Sequence, residues 1–162
     1  MVVSEQMSAD PDAPESAPEP EASRPAPGRA LGLDYGRVRI GVAICDETGI
    51  STRPLGFVPR PDDKSAAVIV AALAQREDAK CIVIGLPLHA NGDAGANVRW
   101  VRAFTKELAK VCPLPVHEVD ERYSSGEAEE ALRAEGRWPA KPGEVDARAA
   151  AILLRRWIDG EQ

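Results

Sequence analysis

Long apolar runs are missing from this sequence: no stretch approaches the roughly 20 residues that a membrane-spanning helix needs, so no such span is expected. The opening Met1-Val2-Val3-Ser4-Glu5-Gln6 lacks the basic start and apolar core of a secretory signal, and a cytoplasmic location is the expectation. Cysteine is scarce. Cys45, Cys81 and Cys112 are widely spaced and odd in number; no Cys-x-x-Cys or Cys/His spacing suggests zinc, and a cytoplasmic chain is not expected to carry structural disulfides. Cys45 and Cys81 lie inside apolar runs and read as buried free thiols. Histidine is scarcer still, and neither His89 nor His117 stands in a motif that would support a cysteine nucleophile. No internal repeat is visible.

Net positive charge is also lacking. The chain carries a formal charge of −6, which at first argues against a nucleic-acid partner. The acids are unevenly placed, however. Residues 1–28 hold Glu5, Asp10, Asp12, Glu15, Glu19 and Glu21 against Arg24 alone, so the remaining residues are left at −1. A nearly neutral domain neither demands nor excludes a phosphate-rich ligand. The 1–28 segment is rich in Pro, Ala, Glu and Ser and has almost no large apolar side chains. It cannot bury enough surface to offset its chain entropy and is expected to be a disordered extension, with residues 29–162 forming one domain.

What is present from Arg29 onward is a regular alternation of elements. Ala30 to Asp34 reads as a strand ending on an acid, Tyr35-Gly36-Arg37 as a turn, and Val38 to Cys45 as a second strand. A third extended stretch runs from about Ile50 to Val58, and the segment from Pro59 to Asp63 offers a helix N-cap. Ser65 to Arg76 has Val68, Ile69, Ala72 and Leu73 at helical spacing. Lys80 to Gly85 is the continuous apolar run of a central strand covered on both faces. A helix over 96–111, with Val98, Val101, Phe104 and Leu108 on one side, precedes a fifth strand over 115–119. Helices over about 124–135 and 144–159 complete the order β-β-β-α-β-α-β-α-α. This order predicts an α/β fold: a mixed five-stranded sheet, three antiparallel strands followed by strands alternating with helices, with helices on both faces.

Acids stand at three element ends. Asp34 closes an apolar strand between Gly32 and Gly36, where a carboxylate is costly unless exposed or paired; it can equally be a turn-forming Asp bonded to nearby backbone N–H groups. Asp120-Glu121 closes the fifth strand, and strand alternation points the two to opposite faces, so one of them can look towards Asp34. Asp146 opens the last helix, where an acid also complements the helix dipole. The neighbouring Val145, Ala149, Ile152 and Leu153 are expected to lie against the sheet. Carboxyl ends of parallel strands share one edge, where ligand sites of open α/β sheets form. Several carboxylates gathered there repel one another, and Mg²⁺ or Mn²⁺ relieves that repulsion through oxygen ligands. Such ions can drive phosphodiester hydrolysis.

The motifs carrying these acids resemble a known family. Asp34-Tyr35-Gly36-Arg37-Val38-Arg39-Ile40-Gly41-Val42-Ala43 resembles the opening signature of the YqgF/RuvX family. Gly85-Leu86-Pro87-Leu88, followed by Asn91-Gly92, is similar to its Gly-Leu-Pro-Leu loop. Asp120-Glu121-Arg122-Tyr123-Ser124-Ser125-Gly126-Glu127-Ala128 is similar to its Asp-Glu-Arg element, and Val145-Asp146 with Ala149 to Leu153 to its closing helix. The four elements arrive in the family's order across about residues 29–159. Tyr123 stands where the family usually has Leu, and Ser124-Ser125 replaces a Thr pair.

The resemblance implies a ribonuclease-H-like fold and a nuclease acting on nucleic acid: 5′ maturation of pre-16S rRNA during ribosome biogenesis, or resolution of Holliday junctions in branched DNA. It implies that Asp34, Glu121 and Asp146 are the catalytic carboxylates and hold Mg²⁺ or Mn²⁺, with Asp120 ranked after them. The nucleophile is then water, and no covalent protein intermediate forms. Arg37, Arg39 and Arg122 are candidates for phosphate contacts, since guanidinium forks fit phosphate oxygens; Arg39 and Arg122 can equally orient the carboxylates. Of the tryptophans, Trp100 and Trp157 read as packing residues and Trp138 as the one to consider for base stacking. Two other classes stay open. A sugar-kinase-like ATP module would need a second lobe, and a non-catalytic RNA-binding factor would bind without cutting. Resolving a junction takes two active sites, hence a homodimer, and the sequence carries no interface signature.

Overall fold

The computed structural model describes residues 28–87, 96–121 and 124–160. Five strands, β1 (Ala30–Tyr35), β2 (Arg39–Cys45), β3 (Thr52–Pro59), β4 (Cys81–Leu86) and β5 (Val116–Asp120), alternate with α1 (Asp63–Arg76), α2 (Ala96–Val111), α3 (Ser124–Ala134) and α4 (Glu144–Ile158). The expected disordered extension over 1–28 falls, apart from Gly28, outside the described residues, as do Arg122, Tyr123, Leu88 and Asn91-Gly92.

The sheet order is β3-β2-β1-β4-β5. The first three strands pair antiparallel, while β1–β4 and β4–β5 pair parallel. This is the mixed sheet that the element order predicts. The carboxyl ends of β1, β4 and β5 therefore share one edge, joined there by the start of the antiparallel β2.

Helices cover both faces because the central strands are apolar on both. Leu31, Leu33, Ile40, Val42, Ile82 and Ile84 pack with Ala66, Ala67, Val70 and Ala74 of α1 and Val98, Val101, Phe104 and Leu108 of α2. On the opposite face Ala30, Ala43, Cys45, Cys81, Val83 and Val119 meet Ala150, Ala151, Leu153 and Leu154 of α4. α3 packs on α4 and buries Ala128 and Leu132.

One helix buries a different face from the one expected, and another buries only part of the expected face. α1 buries Ala66, Ala67, Val70 and Ala74, leaving Val68 and Ile69 exposed. Residues 66–74 are apolar on every side, so periodicity selects no face, and the small side chains are the ones that let the helix approach closely. In α4, Ala147, Ala150, Ala151 and Leu154 are buried beside Ala149 and Leu153, whereas Val145 and Ile152 are only half-buried. The helix is turned so that its alanines meet the sheet.

α1 is held at its start by Asp62, whose Oδ1 accepts the Ser65 backbone N–H at 2.7 Å while its Oδ2 accepts the Ser65 hydroxyl at 2.9 Å. Asp62→Ala is expected to cost about 1 kcal/mol, read as a lower melting temperature with cleavage unchanged.

All three cysteines are buried and unbridged. Cys45 and Cys81 lie on the two strands flanking β1, two strand spacings or about 9–10 Å apart, beyond the roughly 7 Å that a disulfide can span. Burial pushes both thiols up, Cys81 to about 11, so neither is an activated nucleophile.

Candidate active site

The acidic edge is assembled by strand parity. Ala30, Gly32 and Asp34 alternate onto the α4 face of β1, and Asp34 is 8% exposed, the single buried charged residue among those described. On β5, Val119 lies on the same face, so Glu121, two residues on, follows it and Asp120 does not. The Glu121 N–H donates to the Leu86 carbonyl at 3.1 Å, which carries the ladder one residue past the strand and aims the side chain inward. Glu121 then lies over Gly85: a Cβ there would fall 2.5 Å from its Oε2 and 2.8 Å from its Cβ. The glycine leaves the space the carboxylate occupies.

Asp34 and Glu121 are hydrogen-bonded to each other through their carboxyl groups, and Glu121 Oε2 is fully enclosed. Two carboxyls in that relation cannot both ionise cheaply. Desolvation is the main cause that raises both. Glu121 is pushed up to about 9, with its hydrogen bond to Asp34 and repulsion from Asp34 and Asp120 adding to burial. Asp34 is raised by burial, drawn back by its bond to Glu121, and raised further by the charge of Asp146.

Asp146 arrives from α4. Its backbone carbonyl lies where a Gly41 Cβ would be, at 2.0 Å, so the first turn of α4 rests directly on β2. Gly41 is paired with Asp34 across the β1–β2 ladder. Asp146 is half-buried; burial raises its carboxyl, opposed by Arg39, whose Nη1 is 4.0 Å from its Oδ2. Arg39 is thus an orienting partner of an acid in this arrangement, and its guanidinium also lies 5.3 Å from the Phe57 ring centroid. Arg37 is exposed on the β1–β2 turn, 5.7 Å from the centroid of Trp100. Asp120 is half-buried beside the group, contributing charge. Arg122 lies outside the described residues.

The structure therefore brings Asp34 and Glu121 into contact and sets Asp146 within electrostatic range of Asp34. Among the described residues no three His, Cys, Asp or Glu side chains stand close enough together to enclose an ion. The donor set itself is all carboxylate oxygen, which suits Mg²⁺ or Mn²⁺ rather than zinc.

Trp100 is the residue that the sequence misplaces. It is 45% exposed, and the signal was its position two residues after Val98, off the Val98-Val101-Phe104-Leu108 stripe of α2. Trp138 is also exposed, with Arg133 4.2 Å from its ring centroid.

The RuvX family model, described as Holliday junction resolvase, matches residues 28–160. A Synechococcus elongatus protein named "Putative pre-16S rRNA nuclease" is 42% identical over 134 residues, covering 82% of this chain and 90% of its own length. A relative of the same name from an Anaeromyxobacter species is also 42% identical, over 82% of this chain and 97% of its own. Fowlpox virus resolvase bound to Holliday junction DNA superposes with a TM-score of 0.53 at 12% identity, covering 82% of this chain and 97% of that one. Thermus thermophilus RuvC in complex with a Holliday junction substrate gives 0.51 at 18% identity, over 82% and 94%. These two structures show the shared ribonuclease-H-like fold. No helix among the described residues is long and apolar enough to cross a membrane.

Proposed function

Since the chain belongs to the RuvX family, we propose that it is a divalent-metal-dependent nuclease whose catalytic carboxylates are Asp34, Glu121 and Asp146. One observation carries the reading: buried Asp34 and half-buried Glu121, one of whose oxygens is enclosed, meet at the carboxyl edge of the sheet, both pushed up by desolvation, with a third acid in electrostatic range. A fold spends stability to keep such a pair unless a cation joins it.

Asp34 and Glu121 would hold the metal between them, and Asp146 would complete the set once drawn from Arg39. Bound there, a divalent ion supplies Lewis-acid polarisation of the phosphoryl oxygen and lowers the pKa of a water ligand. The chain's own residues do the rest. Gly85 makes room for Glu121, Gly41 lets α4 bring Asp146 to the sheet, and Arg39 opposes the burial that raises the Asp146 carboxyl. Arg37 offers its guanidinium to a phosphate from the exposed turn. Arg122, next to Glu121 in the sequence, is a second phosphate contact. Water attacks phosphorus, the bond to the leaving oxygen breaks and the proton lost by the water ends on that oxygen, without a covalent protein intermediate.

Relatives at about two-fifths identity carry the pre-16S rRNA name over most of the chain, so 5′ maturation of that RNA is the preferred task, which sets the place of action in the cytoplasm. The family description favours junction resolution as the second reading, and it requires a homodimer. Residues 1–27 of the acidic extension lie outside the matched residues and take no part in catalysis.

Purified protein incubated with labelled precursor rRNA and with a four-way DNA junction, in Mg²⁺, Mn²⁺ or EDTA, tests this. Metal-dependent cutting is expected, with Asp34→Asn and Asp146→Asn each lowering it roughly a thousandfold, the scale of losing several kcal/mol of transition-state stabilisation. The substrate cut faster separates the two tasks. Variants that cut like the parent would place the site elsewhere, and RNA retained but never cut would make the chain a binding factor.

A further inference from the structure

A cavity of about 190 Å³ opens beside the acid pair, and Glu121 is part of its wall. Tyr35, Arg37, Asn97 and Trp100 also line it. Its volume is well below the roughly 300–1,000 Å³ of sites that enclose whole drug-sized ligands, and matches a single planar ring system. Its two aromatic sides differ in freedom. Tyr35 is fixed: its hydroxyl donates to Asp63 at 2.8 Å, Arg60 lies 4.6 Å from its ring centroid and Phe104 5.2 Å. Trp100 is the open side, 45% exposed, with Arg37 at 5.7 Å, the outer limit of a cation–π contact. That contact is loose enough to be exchanged for another flat group, and the exposed Asn97 amide can both donate to and accept from a ring edge.

We propose that this cavity seats one unpaired nucleobase, stacked on Trp100, next to the phosphate presented to Asp34 and Glu121. The inference rests on the nuclease reading and narrows its substrate: the strand is single-stranded at the nucleotide beside the cut. A base inside a duplex has both faces covered by its neighbours and shows the protein only its edges. A site that receives a base by its face selects a strand whose bases are already splayed. Because every base has such a face, the preference is for unpaired structure and is tolerant of sequence.

Binding, read without cutting, tests this in the Asp34→Asn chain. Labelled single-stranded RNA, single-stranded DNA and a fully paired duplex are titrated, the single strands carrying 2-aminopurine, whose emission falls on stacking. Adding Trp100→Ala is expected to weaken both single strands roughly tenfold to a hundredfold, to leave duplex binding within about twofold, and to abolish the 2-aminopurine quench. Trp100→Phe should restore most of the affinity. The side chain is exposed, so equal melting temperatures should accompany these changes. Single strands held equally well by Trp100→Ala would overturn the proposal. So would an equal loss on duplex, or a loss confined to RNA, which would move recognition to the 2′-hydroxyl. If Asp34→Asn binds no oligonucleotide, the base site falls alone, because the cutting assay on the parent judges the nuclease reading separately.

Discussion

Glu121→Gln should abolish cutting and, without metal, make the protein more stable than its parent above neutral pH. The carboxyl of Glu121 is pushed from 4.5 to about 9, chiefly by burial and then by its bond to Asp34 and the repulsion of Asp34 and Asp120. Between those values the folded protein holds a proton that the unfolded chain releases. A raised acid therefore contributes stability at low pH that is lost as pH rises from about 4.5 towards 9, at up to about 1.4 kcal/mol per pH unit. Glutamine ends this loss. Its amide can donate to the Asp34 carboxylate, which lets Asp34 ionise with a partner.

Melting curves from pH 5 to 9 in EDTA measure the difference. The parent should fall steadily with pH and the variant should be much flatter. Excess Mg²⁺ should raise the parent's melting temperature most at the alkaline end, where the cation replaces the lost proton, and should leave the variant nearly unchanged. Parallel parent and variant curves would mean that the acids are solvated, and a parent indifferent to Mg²⁺ would mean that they are not its ligands.

Gly41→Ala should be the most damaging substitution of a single hydrogen by a methyl group. The added Cβ would lie 2.0 Å from the Asp146 carbonyl oxygen, 2.2 Å from its carbonyl carbon and 2.8 Å from the Ala147 nitrogen. All three are backbone atoms, so no rotamer relieves the clash, and the first turn of α4 must lift from β2. Overpacking typically costs 1–3 kcal/mol, and a backbone clash at this depth belongs at about 3 kcal/mol or more. For a domain of this size that lowers the melting temperature by roughly 10 °C. Cutting should fall further than stability does, because the displaced turn carries Asp146 away from Arg39 and Asp34. A variant that melts and cuts like its parent would show that α4 does not sit on Gly41.

Much of the frame was legible because its signals are local. The Lys80–Gly85 apolar run marks a strand covered twice, and β4 is buried along its whole length. The amphipathic spacing of 96–111 specifies α2 and its buried stripe. Pro, Gly and Asp clusters mark the turns, and Asp62 caps α1 as the Pro59–Asp63 segment suggested. Where the pattern carried no contrast, reading it failed: α1 is apolar all round, so its buried face was set by which side chains let it pack closely.

The site divides the same way. Alternation along the fifth strand by itself determined that Asp120 and Glu121 diverge, and element ends placed three acids where a sheet edge could gather them. Only the tertiary structure decided that Glu121 is the one that turns inward, because the parallel β4–β5 pairing sets Val119 opposite Gly85 and the missing side chain there admits the carboxylate. The tertiary structure likewise assigned Arg39 to Asp146 and set Trp100 and Glu121 on the wall of one cavity, from elements far apart in the chain. Periodicity reports which face of an element is apolar. Which polar groups meet is decided by strand order, register and the places where glycine lets backbone approach backbone.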